Sequence, residues 1–225
     1  MSADGTQASA AVCSPVERRA SFLTDYQDAD YAARYRAFMG RVRTRERAVM
    51  GAEGALSDAV ARGLFRLMAY KDEYEVGRLW TVDAARAQVD AAFEGGRLEF
   101  HLAPPLLARR DPVTGEPRKI RFGPWMRHGF RLLAKLKGLR GTPLDPFGYT
   151  AERRDERALI DRYRALVERL LAELTPATHA RAVKAADAAN RIRGYGHVKE
   201  RNRLRVEQEW REVLAEETRE LATAA

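Results

Sequence analysis

Cysteine is almost absent from this sequence of 225 residues: Cys13 is the only one, and it lies in a stretch of small side chains near the amino terminus. One thiol excludes an internal disulfide and the set of thiolates that an iron-sulfur cluster usually requires, so a redox centre must come from another chain. Long apolar runs are also missing. No segment approaches the roughly 20 apolar residues of a membrane-spanning helix, and a charged content of 32% describes a domain with a heavily ionic surface. The first residues lack a basic start followed by an apolar core, which argues against an export signal and for a cytoplasmic location. Residues 1–16 are rich in Ala and Ser and read as a flexible tail, leaving 17–221 as a single domain. Histidine is sparse too: His101, His128, His179 and His197 are scattered, and none forms the helix-face pair of a zinc site.

What the sequence has in quantity is positive charge. The formal charge is +8, and all but six of the 40 basic residues are arginine. Clustered cations attract polyanions, but many of these arginines stand beside Asp or Glu, as in Ala151 to Arg157 and Arg205 to Glu212, which is the pattern of mixed solvated faces. Nucleic acid is therefore not the expected partner. One segment departs from that mixing: Arg118 to Arg140 contains no acid. Its Arg127, Arg131, Lys135 and Arg140 are the leading candidates for an anion-facing surface.

Hydrophobic spacing predicts a mainly α fold with a small antiparallel β-hairpin insertion. Tyr31, Tyr35, Phe38, Val42 and Val49 recur at helical intervals, and Gly51 and Gly54 end that helix. A second helix, with Ser57 as a possible cap, carries Val60, Leu64, Leu67 and Met68 and is expected to continue towards Trp80; Asp83 to Phe93 reads as a third. Leu98, Phe100 and Leu102 then alternate with charged or polar residues, as do Ile120 and Phe122, so two short strands can pair across a long loop, with His101 facing outward. Further helices are expected from Gly123–Pro124 to Leu136, along the Leu159 to Leu174 stripe, from Pro176, and over Val198 to Leu221. There is no internal repeat.

Few motifs carry chemistry. Arg193 to Lys199 contains Gly194 and Gly196 before the last helix, where free amides with His197 and Lys199 suit an anion, although glycines that permit a turn explain the same letters. Lys71 and Glu75 have the spacing of a helical ion pair, with Asp72 between them as a potential paired acid. The connector Gly141 to Thr150 is dense in Pro, Gly and aromatics and reads as an ordered loop with Thr150 as a helix cap. With Arg153 and Arg154 following, Phe147 and Tyr149 equally suit a docking face.

Several longer runs, in matching order over about residues 17 to 202, resemble a known family. Phe22 to Asp28, Tyr70 to Val76, Phe100 to Leu106, Phe122 to Met126, Arg140 to Thr142 with Asp145 to Arg154, and Ile192 to Asn202 are similar to the carboxy-terminal region of long indolepyruvate ferredoxin oxidoreductases. That resemblance implies a system that oxidatively decarboxylates arylpyruvates, forms an acyl-coenzyme A and reduces ferredoxin. Thiamine diphosphate, magnesium and iron-sulfur clusters would sit in partner chains, since the diphosphate motif and the cysteine sets have no counterpart here. No catalytic, cofactor-binding or metal residue is carried over. The implied role is a noncatalytic accessory or assembly module docking on the catalytic chains of a 2-oxoacid ferredoxin oxidoreductase. An independent polyanion- or nucleotide-binding helical protein is the alternative. Gly77 departs from good helix chemistry, at a cost of roughly 0.5 to 1 kcal/mol relative to Ala. With one cysteine, the purified chain is expected to be colourless; stoichiometric iron with a visible absorption band would contradict this reading.

Overall fold

The computed structural model describes residues 14–81, 87, 91–92, 96, 98–104, 118–194 and 196–224. Eight α-helices and one two-stranded antiparallel sheet are present among them, in the order α1 (Pro15–Tyr26), α2 (Ala29–Met50), α3 (Ala55–Met68), α4 (Glu73–Thr81), β1 (Phe100–Leu102), β2 (Ile120–Phe122), α5 (Met126–Lys135), α6 (Ala151–Ala172), α7 (His179–Asp187) and α8 (Gly196–Ala224). The expected class, mainly α with a small hairpin, is the observed one. No described helix is long and apolar enough to cross a membrane.

Helix α1 was not legible from periodicity. Ser14 accepts a hydrogen bond from the Glu17 amide and Pro15 occupies the first turn, so the helix begins inside the segment expected to be a flexible tail. Its Val16, Ala20, Leu23 and Tyr26 are buried against the main core. That burial outweighs a mean composition that is otherwise charged. Helix α2 follows the predicted stripe and ends at Gly51 in the left-handed region.

The second predicted helix is two. It stops at Met68, and Asp72 caps a new start by accepting a hydrogen bond from the Glu75 amide at 2.8 Å. Lys71 consequently lies outside the helix, and Glu75 instead receives a bidentate bond from Arg78. Ser57 is not the cap of α3 either. Gly54 stands at that position, and Glu46 reaches over from α2 to accept the amides of Gly54, Leu56 and Ser57 at 3.0, 2.9 and 2.8 Å. The helix expected over Asp83 to Phe93 falls outside the described residues, save for isolated positions. Pro176 precedes rather than opens α7, in a turn closed by hydrogen bonds between Thr175 and Thr178.

Six helices, α1, α2, α3, α6, α7 and α8, share one continuous core that includes Tyr35, Phe38, Leu64, Tyr163, Leu170 and Trp210. Helices α3 and α6 approach closely at Gly63, where an added Cβ would stand 2.5 Å from the Tyr163 hydroxyl; that hydroxyl donates to the Ala186 carbonyl at 2.9 Å. A smaller cluster lies outside this core. Phe100 on β1 sets its ring edge-on to Trp80 of α4 and to Phe130 of α5, with ring centres 5.0 Å apart in each case. The hairpin register, Phe100 opposite Phe122 and Leu102 opposite Ile120, fixes Phe100 in that position. Gly77 belongs to this lobe: a Cβ there would meet Leu133 Cβ at 2.8 Å and the Phe130 carbonyl at 2.9 Å. The glycine that weakens α4 as an isolated helix is what lets α5 cross it closely.

The buried Glu46 carboxylate also accepts from His179 Nε2 at 2.8 Å, which joins α7 to the α2–α3 junction. Burial raises its pKa, but the neighbouring Ser57 hydroxyl, His179 and the Gly54 and Ser57 amides outweigh it, and the net value falls to about 2. A carboxylate held below its ordinary value contributes stability that is complete above the unfolded pKa and lost as pH falls towards 2. Glu46→Gln is expected to cost about 2 to 3 kcal/mol at pH 7, with the gap to wild type closing between about pH 4.5 and 2 in urea denaturation.

Candidate functional site

The residues proposed from sequence fall into three places. The first is α5, where Arg127, Arg131 and Lys135 repeat every four residues and therefore share one stripe. Arg131 and Lys135 are exposed and Arg127 is half-buried, and none of the three makes an ion pair with a described residue. Beside them on the outer arc lie Trp125, Leu132 and Leu136, with 62%, 59% and 38% of their surfaces exposed. The buried arc of the same helix is occupied by Phe130. An exposed apolar strip flanked by unpaired cations is the composition of an interface anchor rather than of an ordinary solvated face.

The second place is a buried polar hub, and it corrects the sequence expectation for Arg140. That side chain is only 3% exposed. Its Nε and Nη2 donate to the two oxygens of Asp72 at 2.5 and 2.9 Å, and its Nη1 donates to the Tyr26 carbonyl at 2.6 Å. The guanidinium lies 3.7 Å over the Tyr26 ring and 5.4 Å from the centre of the Tyr74 ring. Burial pulls its pKa down, yet the Asp72 bond prevails and raises it above the usual arginine value. Arg140 thus faces an anion inside the protein, not at the surface, because the turn after α5 delivers it to the carboxy-terminal end of α1. Lys137 does the same from one turn earlier, donating to the Thr24 and Asp25 carbonyls.

Phe147 and Arg153 belong to this hub as well. Phe147 packs edge-on against Tyr74 with ring centres 5.3 Å apart, and Arg153 pairs with Glu73 at 3.1 Å over the Tyr70 ring. Asp145, buried in the connector, accepts from the Tyr74 hydroxyl at 3.0 Å and from the Gly141 and Phe147 amides. The connector is therefore an ordered loop. Thr150 caps α6 as expected, accepting from the Arg153 amide at 3.3 Å. Tyr149 and Arg154 remain at the surface, where the Tyr149 hydroxyl donates to the Pro143 carbonyl at 2.5 Å.

The third place is the start of α8. His197 is exposed, while Lys199 forms an ion pair with the buried Glu156 of α6. Glu152, Asp155, Glu156 and Glu200 line the groove there against only Lys199 and Arg203, so it does not suit an anion. A cleft of about 400 Å³ beside the hub is better enclosed, with Tyr31, Tyr70, Arg157 and Arg164 among its walls. Burial pushes the Tyr70 hydroxyl up to about 12, so it is a neutral donor there. Arg157 Nη1 and Arg164 Nε are buried without a hydrogen-bond partner, but Asp28, Asp30 and Asp161 share the lining and leave its charge balanced. No three His, Cys, Asp or Glu side chains group to hold a metal ion among the described residues.

A family model described as a family of unknown function, DUF6537, matches residues 12–212. The chain belongs to that family. No curated protein and no solved structure matches. The match takes in α1 through most of α8, so the hub and the α5 stripe both lie within the DUF6537 region. Sequence reading missed the hub because the partners of Arg140 are 68 and 114 residues away. The available signal was an acid-free stretch ending at Arg140 and an Asp72 read only as a potential paired acid beside Lys71 and Glu75, which gives charge but not the partner.

Removing one member of a buried ion pair strands the other charge, at a cost of about 3 to 5 kcal/mol. Asp72→Asn and Arg140→Met are each expected to lose that much in chemical denaturation. The double variant should lose clearly less than the two losses added, as a double-mutant cycle measures.

Proposed function

We propose that this chain is a noncatalytic accessory or assembly module of an indolepyruvate ferredoxin oxidoreductase-like complex, and that it docks on the catalytic chains through α5. The observation that carries the reading is the exposed strip of Trp125, Leu132 and Leu136 alongside Arg131 and Lys135. Aromatic and aliphatic side chains in that setting supply the desolvated centre of an interface, and unpaired cations steer an acidic partner towards it. The resemblance of six ordered runs to the carboxy-terminal region of such oxidoreductases names the partner. In this reading the catalytic chains hold thiamine diphosphate, magnesium and the iron-sulfur clusters, and the assembly works in the cytoplasm. The chain contributes a rigid platform: the hub sets the α4–hairpin–α5 lobe against the main core, and α5 displays its outer arc to the partner.

Purified catalytic chains of an indolepyruvate ferredoxin oxidoreductase provide the test. Arg131→Glu combined with Lys135→Glu should weaken their capture at least about tenfold, and Leu132→Ser should do so without changing the salt dependence. Duplex DNA at near-physiological salt should bind no tighter than the nonspecific range of about 10⁻⁴ to 10⁻⁶ M. Submicromolar DNA binding, with capture unchanged by the charge reversal, would favour the polyanion-binding alternative.

A further inference from the structure

A groove of about 700 Å³, none of whose lining residues belongs to α5, runs between α1, the end of α3 and the segment after α7. Four arginines line it, Arg19, Arg62, Arg66 and Arg193, against a single carboxylate, Asp187. That carboxylate is already engaged: its Oδ1 accepts from Arg62 at 3.1 Å and from Asn190 Nδ2 at 2.9 Å. Arg193 Nε spends one donor on the Asn190 carbonyl, and Arg19 makes a long contact of 3.4 Å to the Pro15 carbonyl. Neither Arg19, Arg66 nor Arg193 has an ion-pair partner among the described residues.

The groove places four guanidinium groups around one carboxylate. Several exposed arginines elsewhere pair with carboxylates, as in Arg36 with Glu17, Arg41 with Glu168 and Arg191 with Glu209. Here the chain has brought like charges together instead. Burial lowers the pKa of Arg66, and the nearby charge of Arg193 lowers it further, so the two guanidinium groups stand close enough to repel. Like charges are held together at a cost, and an anion that bridges them removes it. Guanidinium groups suit phosphate oxygens in particular, because their paired N–H donors bind two oxygens of one phosphate. Phe65 and Ala69 line the same groove and give an apolar bed to the uncharged part of a ligand.

We propose that this groove is a binding site for a small phosphate-bearing molecule, with Arg66 and Arg193 as the principal phosphate ligands and Arg19 and Arg62 at its edges. The site is separate from docking through α5 and stands or falls independently of it. The four arginines lie around one groove that also offers Phe65 and Ala69, an arrangement that suits a compact polyphosphate carrying an uncharged part.

Inorganic pyrophosphate is the probe. Titrated into the full chain at near-physiological salt, it should bind and raise the melting temperature, whereas inorganic phosphate at the same concentration should do so more weakly. Arg66→Met and Arg193→Met should each weaken pyrophosphate binding at least about tenfold, the loss expected for one charge-assisted contact. Without ligand, both variants should melt no lower than wild type, because each removes a like-charge neighbour. Three results would overturn the proposal: no thermal shift at millimolar pyrophosphate, variants that bind it as well as wild type, or ligand-free variants that both melt lower, which would make these arginines structural. Submicromolar duplex DNA binding abolished by the same two substitutions would also overturn it, in favour of a nucleic acid surface.

Discussion

The bidentate bond between Arg140 and Asp72 joins parts of the molecule that have little else in common. Asp72 caps α4, Arg140 closes the turn after α5, and the Tyr26 carbonyl that completes the arrangement ends α1. Beside it, the α4–hairpin–α5 lobe, whose buried rings are not part of the main core, is held by Lys137 on the Thr24 and Asp25 carbonyls, by Arg153 on Glu73, by Tyr74 on Asp145 and by the Arg78 contact with the Phe22 ring. Two buried charges are costly to desolvate, so the pair is better understood as setting position than as adding net stability. Around it, Tyr26 and Tyr74 set their rings against the guanidinium, Tyr70 packs edge-on to Tyr26, and Asp145 orients Tyr74 through its hydroxyl.

A second theme explains much of the arginine content. Helix carboxy termini leave carbonyls without partners, and here distant basic side chains supply them. Arg140 and Lys137 serve α1. Arg45, from α2, donates to the carbonyls of Leu171, Ala172 and Leu174 at the end of α6. Arg157 donates to the Gly148 carbonyl and holds the connector against α6. The positive charge that suggests a polyanion ligand in the sequence is thus partly consumed inside the fold. Among the described residues, cations without an ion pair include those of α5 and Arg19, Arg66 and Arg193 in the groove.

The sequence made the helical stripes legible because burial repeats with the helix period, as along Tyr35, Phe38 and Val42, and the hairpin because Phe100 and Leu102 alternate with His101. Local signals failed where a distant residue takes over a local task. Ser57 looked like a cap, but the cap of α3 is Glu46 from the preceding helix. The break at Ala69 to Asp72 was hidden because Tyr70 and Tyr74 keep helical spacing across it; only the pairing of Asp72 with Arg140 shows why the chain turns there. At Gly77 a local penalty proved to be a packing requirement, since the neighbour that demands it, Leu133, lies on another helix. The α5 strip was half visible: its cations stood out, whereas the exposure of Trp125, Leu132 and Leu136 depends on which arc the lobe buries. Leu136, at the end of α5, is 38% exposed, whereas Phe130 of the same helix is buried.

The account depends on the hub as a latch for the lobe that carries α5, and hydrogen exchange on Arg140→Met measures this directly. Amides in 73–81 and 126–139 should lose protection by at least about tenfold relative to wild type, while those of α2 and α6 keep theirs, because the main core does not include the lobe. Uniform loss of protection over the whole chain, or unchanged protection in the lobe, would contradict it.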